Sequence, residues 1–256
     1  MTGISQRRPV ALVTGGAVRI GAAISRALAA GGYDVAIHVR RPDAVAQALA
    51  DEIRAGGART AILAAELAEP EAVAALLPAA AQALGPVSLL VNNASEFRSD
   101  SVGALDMALW DRQFAVNLRA PVFLAQALAA GLPPGGHGAV VNLIDQRVLK
   151  PTPRHISYAL AKSGLWSATR LLAQALAPRV RVNAVAPGPV LRSARQSEEN
   201  FARQSAAVLL ERGPSPEEIA AAVLFLARAD SITGQMLAVD GGQHLAWETP
   251  DALVPE

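Results

Sequence analysis

The chain has 256 residues, of which 52% are hydrophobic and 18% charged, so it can bury a sizeable core and is not expected to be disordered. Its 23 basic and 22 acidic residues give a formal net charge of +1, which excludes the basic surface of a nucleic-acid-binding protein. The absence of cysteine excludes disulfides, thiolate nucleophiles and cysteine-ligated metal sites, and the four scattered histidines predict no metal site.

The N-terminal residues lack the apolar core of a signal peptide, and we expect no membrane-spanning run. These features predict a cytoplasmic protein without a membrane partner.

Short apolar runs alternate with alanine- and leucine-rich helical stretches along the chain. The predicted strands are residues 9–13, 34–39, 60–64, 88–92, 139–144, 181–186 and 236–239. The predicted helices include residues 21–30, 42–55, 106–130 with a break near Pro121, and 156–176. This alternation is typical of a parallel sheet with helices on both faces. We therefore predict a single doubly wound α/β domain over residues 1–256, a Rossmann fold with a seven-stranded, mostly parallel sheet.

A glycine-bearing turn, Thr14 to Gly21, follows the first predicted strand. Gly15 and Gly21 stand where a phosphate must approach backbone N–H groups closely, so the turn predicts a nucleotide cofactor. The middle position, glycine in the commonest version, is Arg19, which can bind a cofactor phosphate or reach a bound substrate.

The end of the second strand predicts NADP(H) rather than NAD(H). An NAD-preferring site usually has an acidic residue here for the ribose hydroxyls. This chain instead has Arg40 and Arg41, which suit a 2′-phosphate, with His38 as a further candidate.

Tyr158 and Lys162 are four residues apart in the predicted long helix, so both can face one site. A neighbouring lysine favours the phenolate, and we expect it to lower the pKa of Tyr158. The pair predicts a proton donor usable near neutral pH, and Asp145 lies upstream as a third candidate.

Together these residues resemble the short-chain dehydrogenase/reductase family over nearly the whole chain. The matching motifs are the turn 14–21, Asn92-Asn93-Ala94, Asn117, the Tyr158/Lys162 pair, Pro187-Gly188, and Thr233-Gly234 with Asp240-Gly241-Gly242. The resemblance implies that Tyr158 donates a proton, Lys162 binds the nicotinamide ribose, and Asn117 holds a proton-relay water. The cofactor contacts it implies are Gly15, Arg19, Ile20, Gly21, His38, Arg40, Arg41, Glu66, Leu67, Asn93, Ala94, Ser95, Tyr158, Lys162, Pro187 and Gly188.

Asp145 replaces the serine that is usual in the family. With Arg19, Ser95 and Phe97 it resembles the pteridine reductase branch, which includes dihydromonapterin reductases with activity on dihydrofolate. The expected substrate contacts are Arg19, Ser95, Phe97, Asp145 and Tyr158. We expect NADPH-dependent reduction of a pterin C=N bond.

Other interpretations of these residues stay open. Asp145 can be a turn residue at a strand end, and Phe97 a loop residue packed on the core. The chain can be a reductase of carbonyl substrates such as 3-oxoacyl thioesters, or a nucleotide-sensing regulator. The family resemblance also implies a substrate-covering segment at residues 189–213 and a homotetramer. The tail after Gly242 is expected to lie near a subunit contact or near the site of a neighbouring subunit.

Overall fold

The computed structural model describes residues 8–193 and 196–247, and within them seven strands form one sheet in the order β3-β2-β1-β4-β5-β6-β7. The strands are β1 (Val10–Val13), β2 (Asp34–Val39), β3 (Thr60–Ala64), β4 (Val87–Asn92), β5 (Gly138–Leu143), β6 (Val180–Pro187) and β7 (Met236–Val239). Every neighbouring pair is parallel, so the predicted doubly wound Rossmann domain is confirmed and the sheet is parallel throughout rather than mostly parallel. The N-terminal seven residues, on which the signal-peptide prediction depends, and the tail beyond Trp247 lie outside the described residues.

Helices cover both faces of the sheet. In the described residues the α-helices are α1 (Arg19–Ala30), α2 (Ala44–Ala55), α3 (Pro70–Leu84), α4 (Met107–Phe114), α5 (Ala120–Gly131), α6 (Ile156–Leu176), α7 (Glu198–Ala206) and α8 (Pro216–Arg228). Apolar side chains of α1, α2 and α8 form one core layer, and those of α3, α5 and α6 form the other. Strands β1 and β2 are buried along their whole length, as expected of a sheet covered on both sides.

The break predicted near Pro121 lies slightly earlier in the chain. A π-helical segment, Ala115–Arg119, separates α4 from α5, and Pro121 belongs to the first turn of α5. Pro121 has no N–H to offer the carbonyl group of Asn117 four residues earlier, which accounts for the change of helical hydrogen bonding before it. The whole stretch Met107–Gly131 is long and apolar enough to cross a membrane by length and composition alone, which the sequence analysis did not expect. In this structure it packs against α3 and α6.

A cluster of hydrogen bonds joins the loops after β1 and β4. The Thr14 hydroxyl oxygen accepts from the N–H groups of Asn93 at 2.9 Å and Ala94 at 3.0 Å. The Asn93 amide donates back to the carbonyl oxygens of Thr14 at 2.9 Å and Gly15 at 3.0 Å. Because the strand order reverses between β1 and β4, this is the point where doubly wound sheets form a ligand-binding crevice.

Gly21 packs against the same cluster, and its substitution tests whether the turn is a cofactor cradle. A Cβ at this position would lie 2.0 Å from the Gly15 carbonyl oxygen and 2.7 Å from Asn93 Nδ2, so the turn would have to open. We expect Gly21→Ala to weaken NADPH binding at least about tenfold in a fluorescence titration. At Gly131 an added Cβ meets nothing within 4 Å, so Gly131→Ala should bind NADPH normally. Equal affinity in the two variants would contradict the cradle.

Candidate active site

The structure brings Asp145, Tyr158 and Lys162 together at the carboxyl end of β5. Asp145 begins a short 3-10 helix, Gln146–Val148, where its Oδ1 accepts from the Arg147 N–H at 2.9 Å. Its Oδ2 accepts from the Tyr158 hydroxyl at 2.9 Å. Tyr158 and Lys162 lie in the first two turns of α6 and are both buried. The carboxylate, the phenol and the amine therefore form one largely desolvated group.

The pKa of Tyr158 is raised, so the predicted lowering by Lys162 is wrong. Burial raises this pKa well above 10, and the charge of Asp145 and its hydrogen bond raise it further. Lys162 does not offset this rise because its Nζ donates to the Leu143 carbonyl oxygen at 2.7 Å and lies 5.8 Å from the centre of the phenol ring. Burial also lowers the pKa of Lys162 to about 8.

Arg147 completes the group and was not singled out from the sequence. Its guanidinium donates to Asp145 Oδ2 at 3.0 Å, on the oxygen that also accepts from Tyr158. This cation opposes the rise in the pKa of Tyr158. A basic residue two positions after an aspartate that caps a short helix is the sequence signal that points to it.

Phe97 forms an aromatic wall beside the proton donor. Its ring meets Tyr158 edge-on with 4.7 Å between centroids, and it lies 4.6 Å from the ring of His155 at a tilt of 30°. The Arg147 guanidinium carbon lies 5.6 Å from the centre of the Phe97 ring. Phe97 is 38% exposed, so the wall still offers apolar surface to a ligand. His155 is a second residue that the sequence analysis missed.

Asn117 supports the loop that carries Ser95. Its Oδ1 accepts from the Ser95 hydroxyl at 2.9 Å and from the Glu96 N–H at 3.1 Å, while its Nδ2 donates to the Glu96 carbonyl oxygen at 2.8 Å. The side chain is fully buried in the π-helical segment. Both ends of the Asn117 amide are thus engaged with protein groups, and the side chain positions Ser95 at the site.

Arg19 links the glycine turn to the segment expected to cover the substrate. It begins α1 with a φ of 54°, and its guanidinium donates to the carbonyl oxygens of Leu191 and Arg192, each at 3.1 Å. Val190 and Leu191 line the cavity that contains Tyr158. Part of the 189–213 segment therefore borders the site, while residues 194–195 lie outside the described residues.

Two adjoining cavities hold most of the predicted contacts. The larger, about 640 Å³, is lined among others by the predicted residues Gly15, Arg19, Ile20, Gly21, His38, Arg40, Glu66, Leu67, Asn93, Ala94, Ser95 and Phe97. The smaller, about 180 Å³, is lined among others by Arg19, Ile20, Asn93, Ser95, Asp145, Tyr158, Lys162, Pro187 and Gly188. The two share four lining residues, so they form one elongated crevice that widens away from Tyr158. Arg41 and Asn117 line neither cavity.

His38 supports the glycine turn rather than presenting a charge. Its Nδ1 accepts from the Gly15 N–H at 3.1 Å, which leaves Nε2 to donate to the Ala65 carbonyl oxygen at 3.0 Å. Burial lowers the pKa of His38, so the ring is neutral near pH 7. Arg40 and Arg41, predicted to face a 2′-phosphate, are both exposed, and Arg40 is the one that lines the larger cavity.

An ion-pair chain also borders the larger cavity. Arg112 donates to Glu96 at 2.9 Å and to Glu66 at 3.1 Å. Burial acts to raise the pKa of Glu66, but hydrogen bonds from the Ala68 N–H and from Arg112 outweigh it and lower this pKa. Arg112 and Glu96 were not predicted as site residues, since neither belongs to a recognisable spacing pattern.

Known proteins match this chain over most of its length. Residues 16–244 match a family model described as enoyl-(acyl carrier protein) reductase. The chain is 32% identical to a short-chain type dehydrogenase/reductase of Picea abies, with 91% of this chain and 92% of that protein covered. It is 53% identical to FolM alternative dihydrofolate reductase 1 from Brucella canis, solved with NADP, with a TM-score of 0.92 and coverage of 95% and 96%. The Brucella suis protein of the same name, also solved with NADP, is 54% identical with a TM-score of 0.92 and coverage of 95% and 98%.

The raised pKa of Tyr158 can be measured because the chain has only two tyrosines. Burial also raises the pKa of Tyr33, so the titration is done in a Tyr33→Phe background. In that background we expect tyrosinate absorbance to appear only above about pH 10. When Asp145→Asn is added and removes the neighbouring charge, the absorbance should appear at lower pH. Identical titration curves with and without Asp145→Asn would contradict the role given to the carboxylate.

The lowered pKa of Lys162 predicts a pH-dependent stability. Between pH 8 and 10.5 the unfolded chain keeps a proton on Lys162 that the folded chain has lost, so folding becomes more favourable as the pH rises. The difference in free energy of unfolding between the unmodified protein and Lys162→Met should therefore rise by about 3 kcal/mol across this window. Below pH 8 this difference should stay constant. Urea unfolding at a series of pH values measures the difference. Lys150 is exposed and Lys150→Met leaves Lys162 in place, so the free energy of unfolding of this control variant should rise with pH as that of the unmodified protein does.

Proposed function

Because the chain belongs to the short-chain dehydrogenase/reductase family, we propose that it uses NADPH to reduce a C=N bond of a dihydropterin to the tetrahydro form. The observation that carries this proposal is the hydrogen bond from the Tyr158 hydroxyl to Asp145, 2.9 Å long. The similarity to two NADP-bound proteins named alternative dihydrofolate reductases supports it.

The proton chemistry of a C=N bond suits the Tyr158–Asp145 pair. A bound nicotinamide coenzyme supplies the hydride to the ring carbon. The adjacent nitrogen then needs a proton, and the phenol, whose pKa is raised by burial and by Asp145, carries that proton throughout the neutral range. Asp145 accepts the hydrogen bond of the phenol and is partly exposed, so it provides the route by which water replaces the donated proton.

A carbonyl substrate suits the Tyr158–Asp145 pair less well. Reduction of a ketone places negative charge on oxygen, and an enzyme for that reaction needs donors around the oxygen. Here a carboxylate lies on the phenol, where it would oppose the developing charge. The family model's description names a reductase of enoyl thioesters, which are reduced at a C=C bond rather than at a carbonyl, so acyl thioesters belong in any assay as the competing substrate class.

The crevice fits a dinucleotide coenzyme with an extra phosphate. The larger cavity ends at the glycine turn and the first turn of α1, where backbone N–H groups favour an anion. At Gly15 and Gly21 the surrounding atoms leave no room for a side chain. Arg40 is an exposed cation that lines the same cavity. The flat apolar face of Phe97 and the hydroxyl of Ser95 lie beside Tyr158, where an aromatic pterin ring would bind. The homotetramer stays a prediction of the family resemblance, and the cytoplasmic location stays a prediction from the sequence.

Substrate identity is tested by NADPH oxidation with a panel of dihydrobiopterin, dihydromonapterin, dihydrofolate and acetoacetyl thioesters. We expect turnover of the dihydropterins, with NADPH preferred over NADH. Asp145→Ser should lower their kcat at least about a hundredfold and leave NADPH affinity unchanged, because the carboxylate acts on the proton donor.

Asp106→Ser serves as the matched control, since Asp106 is an exposed helix cap that serine can replace. Turnover of the thioesters alone, or full pterin activity in Asp145→Ser, would overturn the proposal.

A further inference from the structure

A further cavity of about 550 Å³ adjoins Arg147, the residue that pairs with Asp145 at the active site. Its lining residues are Gln146, Arg147, Thr152, Pro153, Arg154, His155, Gln204 and Gln243. They come from the loop between β5 and α6, from α7 and from the short 3-10 helix Gln243–Leu245. The volume is within the range of small-molecule sites.

Arg147 and Phe97 connect this cavity to the proton donor. Arg147 lines the cavity and also donates to the Asp145 oxygen that accepts from Tyr158. The Phe97 ring packs against Tyr158, with 4.7 Å between centroids, and against His155, with 4.6 Å between centroids. His155 also lines the cavity. A ligand bound against Phe97 near Tyr158 therefore lies next to this space.

The lining favours an anion. It includes two arginines and no carboxylate. Arg147 is paired with Asp145, whereas Arg154 is exposed and has no ion-pair partner within residues 8–193 and 196–247. Burial lowers the pKa of His155, so that ring adds no charge near pH 7. Arg154 is thus the cation of this cavity that is available to a ligand.

Two buried polar atoms of the lining also lack partners. Gln146 is 6% exposed, yet its Oε1 makes no hydrogen bond to any described residue, and the same holds for His155 Nδ1. Buried polar groups without partners are costly, and a ligand with an N–H donor beside Gln146 would satisfy its carbonyl oxygen.

We propose that this cavity binds an anionic, amide-bearing side chain of the dihydropterin substrate, as in the aminobenzoyl-glutamate of dihydrofolate. The pterin ring lies on Phe97, the amide reaches the Gln146 region, and a carboxylate pairs with Arg154. This assignment rests on the proposed function and adds a basis for choosing among pterins. A dihydropterin with a short neutral side chain would leave the cavity unused.

The test compares dihydrofolate with dihydrobiopterin, whose side chain carries no charge. We expect Arg154→Gln to raise the KM for dihydrofolate about fivefold, with kcat and the KM for dihydrobiopterin unchanged. Arg154→Glu should raise the dihydrofolate KM further. Added salt should raise that KM in the unmodified protein and have a smaller effect in Arg154→Gln.

Arg54→Gln is the matched control, because Arg54 is an exposed arginine on α2. Unchanged dihydrofolate KM in both Arg154 variants, or equal changes for the two substrates, would overturn the assignment while the pterin reductase function stands. If the unmodified protein turned over neither substrate, the proposed function itself would fail, and this assignment with it.

Discussion

The hydrogen bonds between Thr14 and Asn93 hold the site together, because they join two loops that leave neighbouring strands for opposite faces of the sheet. Strand β1 leads to α1 on one face, and β4 leads toward α4 and α5 on the other. Between such loops a crevice is unavoidable, and the Thr14–Asn93 contacts fix its width. Gly15, whose N–H is also bound by His38, has its position defined from two sides.

In the active site, the protonation of Tyr158 is controlled by its buried surroundings and by Asp145 rather than by contact with Lys162. The carboxylate of Asp145 binds the phenol directly and is itself held by Arg147, while Lys162 reaches away to the Leu143 carbonyl. The phenol is therefore kept protonated by its surroundings. This differs from the usual picture of a lysine that makes a tyrosine more acidic, and it follows from burial of the phenol and from the carboxylate at the end of β5.

The sequence predicted the fold closely because alternating apolar strands and helices leave few topologies, and the glycine turn fixes which end of the sheet is functional. It also identified Asp145, Tyr158 and Lys162, since their spacing and order are specific. The sequence did not predict the protonation properties that depend on burial. The pKa of Tyr158 depends on desolvation, and the neutral state of His38 depends on two hydrogen bonds that no local pattern reveals. Arg147 and His155 were missed because their contact with Phe97 joins separate loops.

The π-helical segment Ala115–Arg119 has a consequence for how the chain tolerates changes in length. It places Asn117 under the Ser95 loop while α5 keeps its apolar face on the sheet. One residue in a helix corresponds to a rotation of about 100°. Deleting a single residue here would turn either Asn117 away from the loop or Leu124 away from the core. The spacing across this segment is therefore fixed by geometry, and insertions or deletions in it should be far less tolerated than substitutions.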